Sequence, residues 1–303
     1  MENLIEVNHI TKDYGDNKGV FDVSFELRKG EILGFVGANG AGKTTTIRNI
    51  MGFLKPDSGN IKIKNLDSWQ EAEKTKKYIG YVPGEIAFPD LKTGTEFLKS
   101  QAEFCGVKDL SYANEITKRL QLDTSANLKR MSKGMKQKTA LVSALLSNPE
   151  ILILDEPTTG LDPLMRVSFL NILSEEKKKG KTILISSHLY EELEKIADRV
   201  MLIDKGKIIN ITDMNEIRNR PVADFKIEFN SKEDYEKFLL LDYKITRKQS
   251  QYNQVTINID KKDIQKLFKD LKNFDVKFIS EVKYTLEKHF IKIIENQKEN
   301  KND

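Results

Sequence analysis

Residues 37 to 44 read Gly-Ala-Asn-Gly-Ala-Gly-Lys-Thr, a spacing suited to holding a phosphate chain. Gly37, Gly40 and Gly42 let backbone N–H groups turn inward around a polyphosphate with no Cβ in the way, at the positive end of a helix dipole. Asn39, Ala41 and Thr45 complete the nucleotide-binding stretch. Lys43 reaches the β and γ phosphates, and the Thr44 hydroxyl holds Mg2+. Further along, the aliphatic run Ile151-Leu152-Ile153-Leu154 ends in Asp155-Glu156-Pro157. A carboxylate at the tip of a buried strand beside such a loop is placed for a second magnesium contact, which assigns Asp155. Glu156, one residue on, is able to orient or deprotonate a water attacking the γ phosphorus.

These residues need a strand before the loop and a helix after it. The apolar run Ile32 to Val36 supplies the first. Ile47, Ile50, Met51 and Leu54 fall at i, i+3, i+4 and i+7 and predict a buried helical face that stops at Lys55-Pro56-Asp57-Ser58-Gly59. Leu4 to Ile10 and Val20 to Leu27 alternate as half-buried antiparallel strands do, and Ile61-Lys62-Ile63 adds another. From about Thr93 to Ser147 the chain reads as helical, with apolar spacing in Phe97 to Phe104, Tyr112 to Leu120 and Met135 to Leu146. Ile151 to Leu154 and Thr182 to Ile185 suit buried strands of a parallel sheet, separated by a helical segment around Val167 to Lys178. Val200 to Ile203, the turn Asp204-Lys205-Gly206-Lys207 and Ile208-Ile209 predict a hairpin.

A boundary is expected near Arg220-Pro221, giving domains at 1–219 and 220–295 and a polar tail at 296–303. The second domain alternates strands (Phe225–Phe229, Tyr243–Arg247, Val255–Ile259, Val276–Ile279) with helices (Lys232–Leu240, Lys262–Leu271). That pattern predicts a small α+β sandwich, followed by an amphipathic helix through Leu286, Phe290, Ile291 and Ile294 and a frayed end from Glu295 onward.

Composition narrows the class. With 303 residues and 39% hydrophobic content the chain can bury a large core. No apolar stretch nears the ~18 residues of a membrane span, and the first residues lack a signal-peptide pattern. Lysine and arginine total 50 against 46 acids, a net +4 too slight and too scattered to indicate nucleic acid. The single cysteine, Cys105, excludes an internal disulfide and a cysteine metal site, fits a reducing compartment, and is expected in the core at the end of the Phe97–Phe104 helix.

Several further motifs occur together. Tyr14 stands in Lys12-Asp13-Tyr14-Gly15, Met131-Ser132-Lys133-Gly134-Met135 precedes Lys136-Gln137-Lys138, and Thr159-Gly160-Leu161-Asp162 and Ser186-Ser187-His188 follow. In this order they resemble the nucleotide-binding subunit of an ATP-binding cassette (ABC) transporter, over residues 1 to about 218. The resemblance implies an α/β P-loop cassette with a RecA-like parallel core, an antiparallel β subdomain and a helical subdomain. Its cofactors are ATP and Mg2+. It implies that Tyr14 stacks on adenine and that Ser132 and Gly134 of the L-S-G-G-Q-like signature meet the γ phosphate held by a second subunit. Asp162 would cross that interface, and a neutral His188 would hydrogen-bond the γ phosphate while holding Glu156 and water in line. The implied partners are a second nucleotide-binding subunit, most simply another copy, and an integral membrane permease, with the chain cytoplasmic and peripheral on the inner face of the membrane. No nucleic acid is expected.

Two departures stand out. The signature carries Lys133 where the usual form has Gly, Met135 for Gln and Met131 for Leu, a form similar to that of the bacterial branch exporting drugs, peptides or antibiotics. The Q-loop slot after Tyr78-Ile79-Gly80-Tyr81-Val82-Pro83 holds Gly84, so Glu85 is the candidate metal contact there. The terminal domain resembles, more weakly, the accessory domain of such exporters, with a packing or dimer-supporting role. A soluble cassette ATPase acting on ribosomes or DNA is the alternative; it would usually show two cassettes or a long coiled-coil insertion, and neither is present. A GTPase or small-molecule kinase leaves the signature unexplained.

Overall fold

The computed structural model describes residues 2–299. Its backbone divides into two compact units, with the division between Met214 and Asn215. In the first unit, β1 (Asn3–Asp13) and β2 (Gly19–Arg28) pair antiparallel. The strand β3 (Ile32–Val36) runs into the glycine loop and α1 (Lys43–Ile50). Next, β4 (Ser58–Ile63) and β5 (Leu66–Asp67) return to extend the first sheet, in the order β2-β1-β4-β5. The segment α2 (Ala72–Lys76) leads to β6 (Ile79–Val82), followed by the helical block α3 (Gly94–Phe104), α4 (Ser111–Arg119) and α5 (Lys133–Leu146). The chain re-enters through β7 (Ile151–Leu154), α6 (Pro163–Lys178), β8 (Thr182–Ser187), α7 (Tyr190–Ile196), β9 (Arg199–Asp204) and β10 (Lys207–Asp213).

The central sheet has the order β10-β9-β3-β8-β7-β6 and is parallel except for the β9–β10 hairpin. Its inner strands are buried on both faces, which is why β3, β7 and β8 read as uninterrupted apolar or small residues. Register then fixes the site. Val36 pairs with Ser187 and Leu154 with Ile185, so the glycine loop, Asp155 and Ser186 emerge side by side at the carboxyl ends of three adjacent strands. That edge is where open parallel sheets bind ligands. The β9–β10 turn uses Lys205 at φ 46° and Gly206 at φ 76°, the left-handed pair that a two-residue hairpin requires.

The second unit opens with α8 (Met214–Arg218), whose first residue lies on the other side of the division. It continues with β11 (Val222–Phe229), α9 (Lys232–Phe238), β12 (Lys244–Gln249), β13 (Gln254–Asp260), α10 (Ile264–Leu271), β14 (Val276–Val282) and α11 (Leu286–Glu299). The antiparallel order β12-β13-β11-β14 with this βαββαβ succession is the split-βαβ, ferredoxin-like arrangement. Phe225, Ile227, Val255 and Ile257 alternate onto one face and bury against Phe238 of α9 and Leu267 of α10, forming this unit's own core.

Three expectations change. Cys105 is exposed, not in the core. Helix α3 buries Phe97, Leu98 and Ala102 and leaves Phe104 88% exposed, so the apolar stripe turns away from the helix end that carries the cysteine. Helix α1 stops at Ile50, and Gly52 at φ 61° breaks it before Leu54 can continue the face. Helix α11 runs to Glu299 through part of the segment read as tail; residues 300–303 lie outside the described chain.

Candidate functional site

The glycine loop is held by close approach as much as by hydrogen bonds. Gly42 sits at φ 115°, and a Cβ there would lie 2.7 Å from Val20 Cγ1. The loop's own carbonyls receive the lysine. Lys43 is 6% exposed, and its Nζ donates to the oxygens of Gly37 at 2.7 Å and Ala38 at 3.3 Å. The same ammonium lies 3.4 Å from Glu156 Oε1. Thr44 Oγ1 donates to Asp155 Oδ2 at 2.7 Å, so the two residues assigned to magnesium present oxygens in contact.

Asp155 is fully buried, and Ser186 Oγ donates to its Oδ1 at 2.7 Å. The same hydroxyl accepts the Glu156 N–H at 2.9 Å. Glu156 occupies the left-handed region at φ 48°, a backbone cost of ~1–3 kcal/mol for a residue with a Cβ. Ser186 pins that turn. Its effect is to aim the Glu156 carboxylate back over the loop, where Oε2 lies 2.7 Å from His188 Nδ1. A carboxylate can only accept, so the ring donates from Nδ1. Burial, reinforced by the Asp155 charge, pushes the Tyr81 phenol on β6 up to about 12.

Two adjoining clefts open over these groups. One, of about 360 Å³, is lined by Tyr14, Asn39, Gly40, Gly42, Lys43, Thr44, Thr45 and Glu156, together with Lys18 and Gly19. It brings the Tyr14 ring into one cleft with the glycine loop and Lys43. The second, of about 410 Å³, gathers Thr44, Glu156 and His188 with Asn39, Arg48, Gly84, Glu85, Lys133 and Thr159. Gly37 and Ala41 are buried beneath the loop. Ser132, Gly134 and Asp162 line neither cleft. Ser132 Oγ instead caps α5 by accepting the Met135 N–H at 3.2 Å, and Asp162 Oδ1 caps α6 by accepting that of Met165 at 3.0 Å.

Residues 20–159 match the family model described as ABC transporter. The chain is 35% identical over 237 residues to the bacitracin transport ATP-binding protein BcrA of Bacillus licheniformis, a match covering 77% of this chain and 78% of that one. It belongs to the ABC transporter ATP-binding proteins. The linearmycin resistance ATP-binding protein LnrL of Bacillus subtilis (strain 168) is 34% identical over 260 residues, covering 84% of this chain and 82% of that protein. A solved ATP-binding subunit of an ABC transporter superposes with a TM-score of 0.65 at 31% identity, over 72% of this chain and 92% of that one. The chain is accordingly an ATP-binding, ATP-hydrolysing ABC transporter subunit.

In this ABC subunit several site residues escape a reading of the sequence. Lys18 and Gly19 join the Tyr14 cleft only because β1 and β2 bring both ends of their connection over the loop. Glu192 is 3% exposed and is the hub of a buried network. Its Oε2 accepts from Thr158 and Ser187 hydroxyls, each at 2.9 Å, and its Oε1 lies 3.2 Å from Arg166 Nε. In Tyr190-Glu191-Glu192-Leu193-Glu194 nothing local separates that buried acid from its neighbours. Among the described residues no helix is long and apolar enough to cross a membrane.

Proposed function

We propose that two copies of this subunit close head to tail around two ATP molecules and drive export through a separate integral membrane permease, with the subunit peripheral on the inner face of the membrane. The observation that carries the chemistry is the clamp on Glu156, which lies between Lys43 and His188 above a glycine loop. Held there, the carboxylate takes a proton from the water that attacks the γ phosphorus as ADP leaves. His188 fixes its direction. A neutral ring has one N–H, and that one is spent on Glu156, so donation to the phosphate from Nε2 requires a second proton or release of Glu156. Tyr14 is 55% exposed in the cleft that the glycine loop lines, available to stack on a base.

Thr44 and Asp155 fit Mg2+, because adjacent hydroxyl and carboxylate oxygens are the hard donors it takes alongside phosphate oxygens and water. When bound, the ion neutralises charge on the β and γ phosphates. Glu85 is the third contact from this chain, from the adjoining cleft. That Ser132, Gly134 and Asp162 line neither of these two clefts supports their serving a partner. The bacitracin transport and linearmycin resistance names of two relatives support export of a drug-like or peptide-like molecule. The terminal unit, with its own core, is assigned a packing or dimer-supporting role.

The test is Glu156→Gln. ATP should still bind, phosphate release should slow by ~10²–10⁴-fold, and sedimentation should show an ATP-dependent dimer. Turnover at the normal rate would remove Glu156 as the base, and a monomer at all ATP concentrations would remove the closed pair. Copurification from membranes with an integral partner checks the transport assignment.

A further inference from the structure

Glu192 is a buried carboxylate with no part in the chemistry assigned above. It sits on α7 between the exposed Glu191 and the buried Leu193. Hiding a carboxylate in a core is costly unless its oxygens are paired. Here the pairing comes from the two segments that carry the reactive side chains. Thr158 lies within the turn that the Thr159 N–H closes on the Glu156 carbonyl at 3.2 Å, and its hydroxyl donates to Glu192 Oε2 at 2.9 Å. Ser187 stands immediately before His188. Its hydroxyl donates to the same oxygen at 2.9 Å and accepts the Leu189 N–H at 3.0 Å, so the backbone is fixed on both sides of the histidine. One oxygen therefore ties the Glu156 turn to the His188 turn.

That tie falls where the sheet no longer provides one. The β7–β8 ladder ends at Leu154 and Ile185, before either reactive residue. Beyond it, Ser186 Oγ holds the start of the Glu156 turn through the Glu156 N–H, and Glu192 holds its far side through Thr158. Arg166 Nε lies 3.2 Å from Glu192 Oε1, yet neither atom has a hydrogen-bond partner among the described residues, so Arg166 offsets charge without directing the carboxylate. Its direction comes from Thr158 and Ser187. We propose that Glu192 is a positioning residue for ATP hydrolysis, which keeps Glu156 Oε2 and His188 Nδ1 at their 2.7 Å separation by holding the turns that carry them. The inference rests on the reading of Glu156 as the base and extends it to what keeps that base aimed. Glu192 lines neither cleft, so its effect passes through Glu156 and His188.

Glu192→Met fills much the same space without accepting a hydrogen bond. In the full chain it should lower kcat for phosphate release about 10²-fold, the cost of a catalytic group misplaced by about 1 Å, while ATP affinity measured by calorimetry in EDTA stays level. Placed in the Glu156→Gln background, the same substitution should slow single-turnover hydrolysis no further, because it acts through a carboxylate that is already gone. A packing role alone would lower the urea midpoint and leave kcat in place. That result overturns the proposal, as does a full additional loss in the Glu156→Gln background. Where circular dichroism shows that Glu192→Met does not fold, Thr158→Val carries the test, being the same shape without the donor. Its kcat should fall about ten-fold, the worth of one hydrogen bond to a charged group, with ATP affinity kept, and an unchanged kcat overturns the proposal. Glu156→Gln alone separates the two levels. If it turns over normally, the site reading fails; if it is slow while Glu192→Met keeps the kcat of the unsubstituted chain, only this inference fails.

Discussion

At Gly84 the absence of a side chain has a direct neighbour. A Cβ there would lie 3.1 Å from Asp155 Oδ2, so the polypeptide passes against the carboxylate where a glutamine would otherwise need room to extend. The next residue, Glu85, then lines the cleft with Thr44, Glu156 and His188. A carboxylate in this place differs from an amide by a full charge, which strengthens any contact to a divalent cation and repels phosphate when the cation is missing. Glu85→Ala is therefore expected to raise the Mg2+ concentration giving half-maximal ATP hydrolysis about five-fold, the equivalent of ~1 kcal/mol. Nucleotide affinity measured in EDTA should stay level or improve. Magnesium dependence identical to that of the unsubstituted chain would remove Glu85 from the metal site.

The helical block meets the central sheet where β6 passes under α5. Gly80 makes that crossing possible, since a Cβ on it would stand 2.1 Å from the Ala144 carbonyl oxygen and 2.8 Å from Pro149 Cγ. Neither neighbour is the free end of a flexible side chain. Gly80→Ala should destabilise the first unit by ~1–3 kcal/mol, read as a lower urea midpoint, and should disturb Val82 and the Gly84–Glu85 segment that β6 carries. A midpoint equal to that of the unsubstituted chain would show that the crossing relaxes freely. Such close approaches were not legible in the sequence, because a strand glycine looks alike whether it faces solvent or backbone. The strands themselves were legible, as β3, β7 and β8 are apolar runs ending in polar site residues, and so were the loop, Asp155, Glu156 and His188. The α3 stripe was not, because Phe97, Gln101 and Phe104 repeat with helical spacing yet the helix turns Leu98 and Ala102 inward. Partners drawn from distant strands, such as Ser186 for Asp155 or Glu192 for Arg166, depend on register that local periodicity does not encode.

Two units with separate cores should lose structure separately, and their ionisable groups make the losses distinguishable by pH. His289 on α11 lies among Tyr284, Glu216, Arg220 and Lys292, all in the second unit. Burial holds its pKa below the ordinary histidine value, with Arg220 and Lys292 acting in the same direction and Glu216 against them. The sign follows from proton binding. The unfolded chain takes up a proton on this ring near pH 6.5, while the folded chain resists until lower pH, so stability present above 6.5 is lost as pH falls towards the folded value. Below the folded value the loss is complete. Calorimetric scans between pH 7.5 and 5.5 should therefore move the second unit's transition to lower temperature. His289→Gln, which cannot take up the proton, should flatten that dependence. A single transition, or a second-unit midpoint that ignores pH in the unsubstituted chain, would show that the units do not unfold apart or that His289 stays accessible in the fold. ATP should raise only the first unit's transition, since the glycine loop and its cleft lie wholly within it.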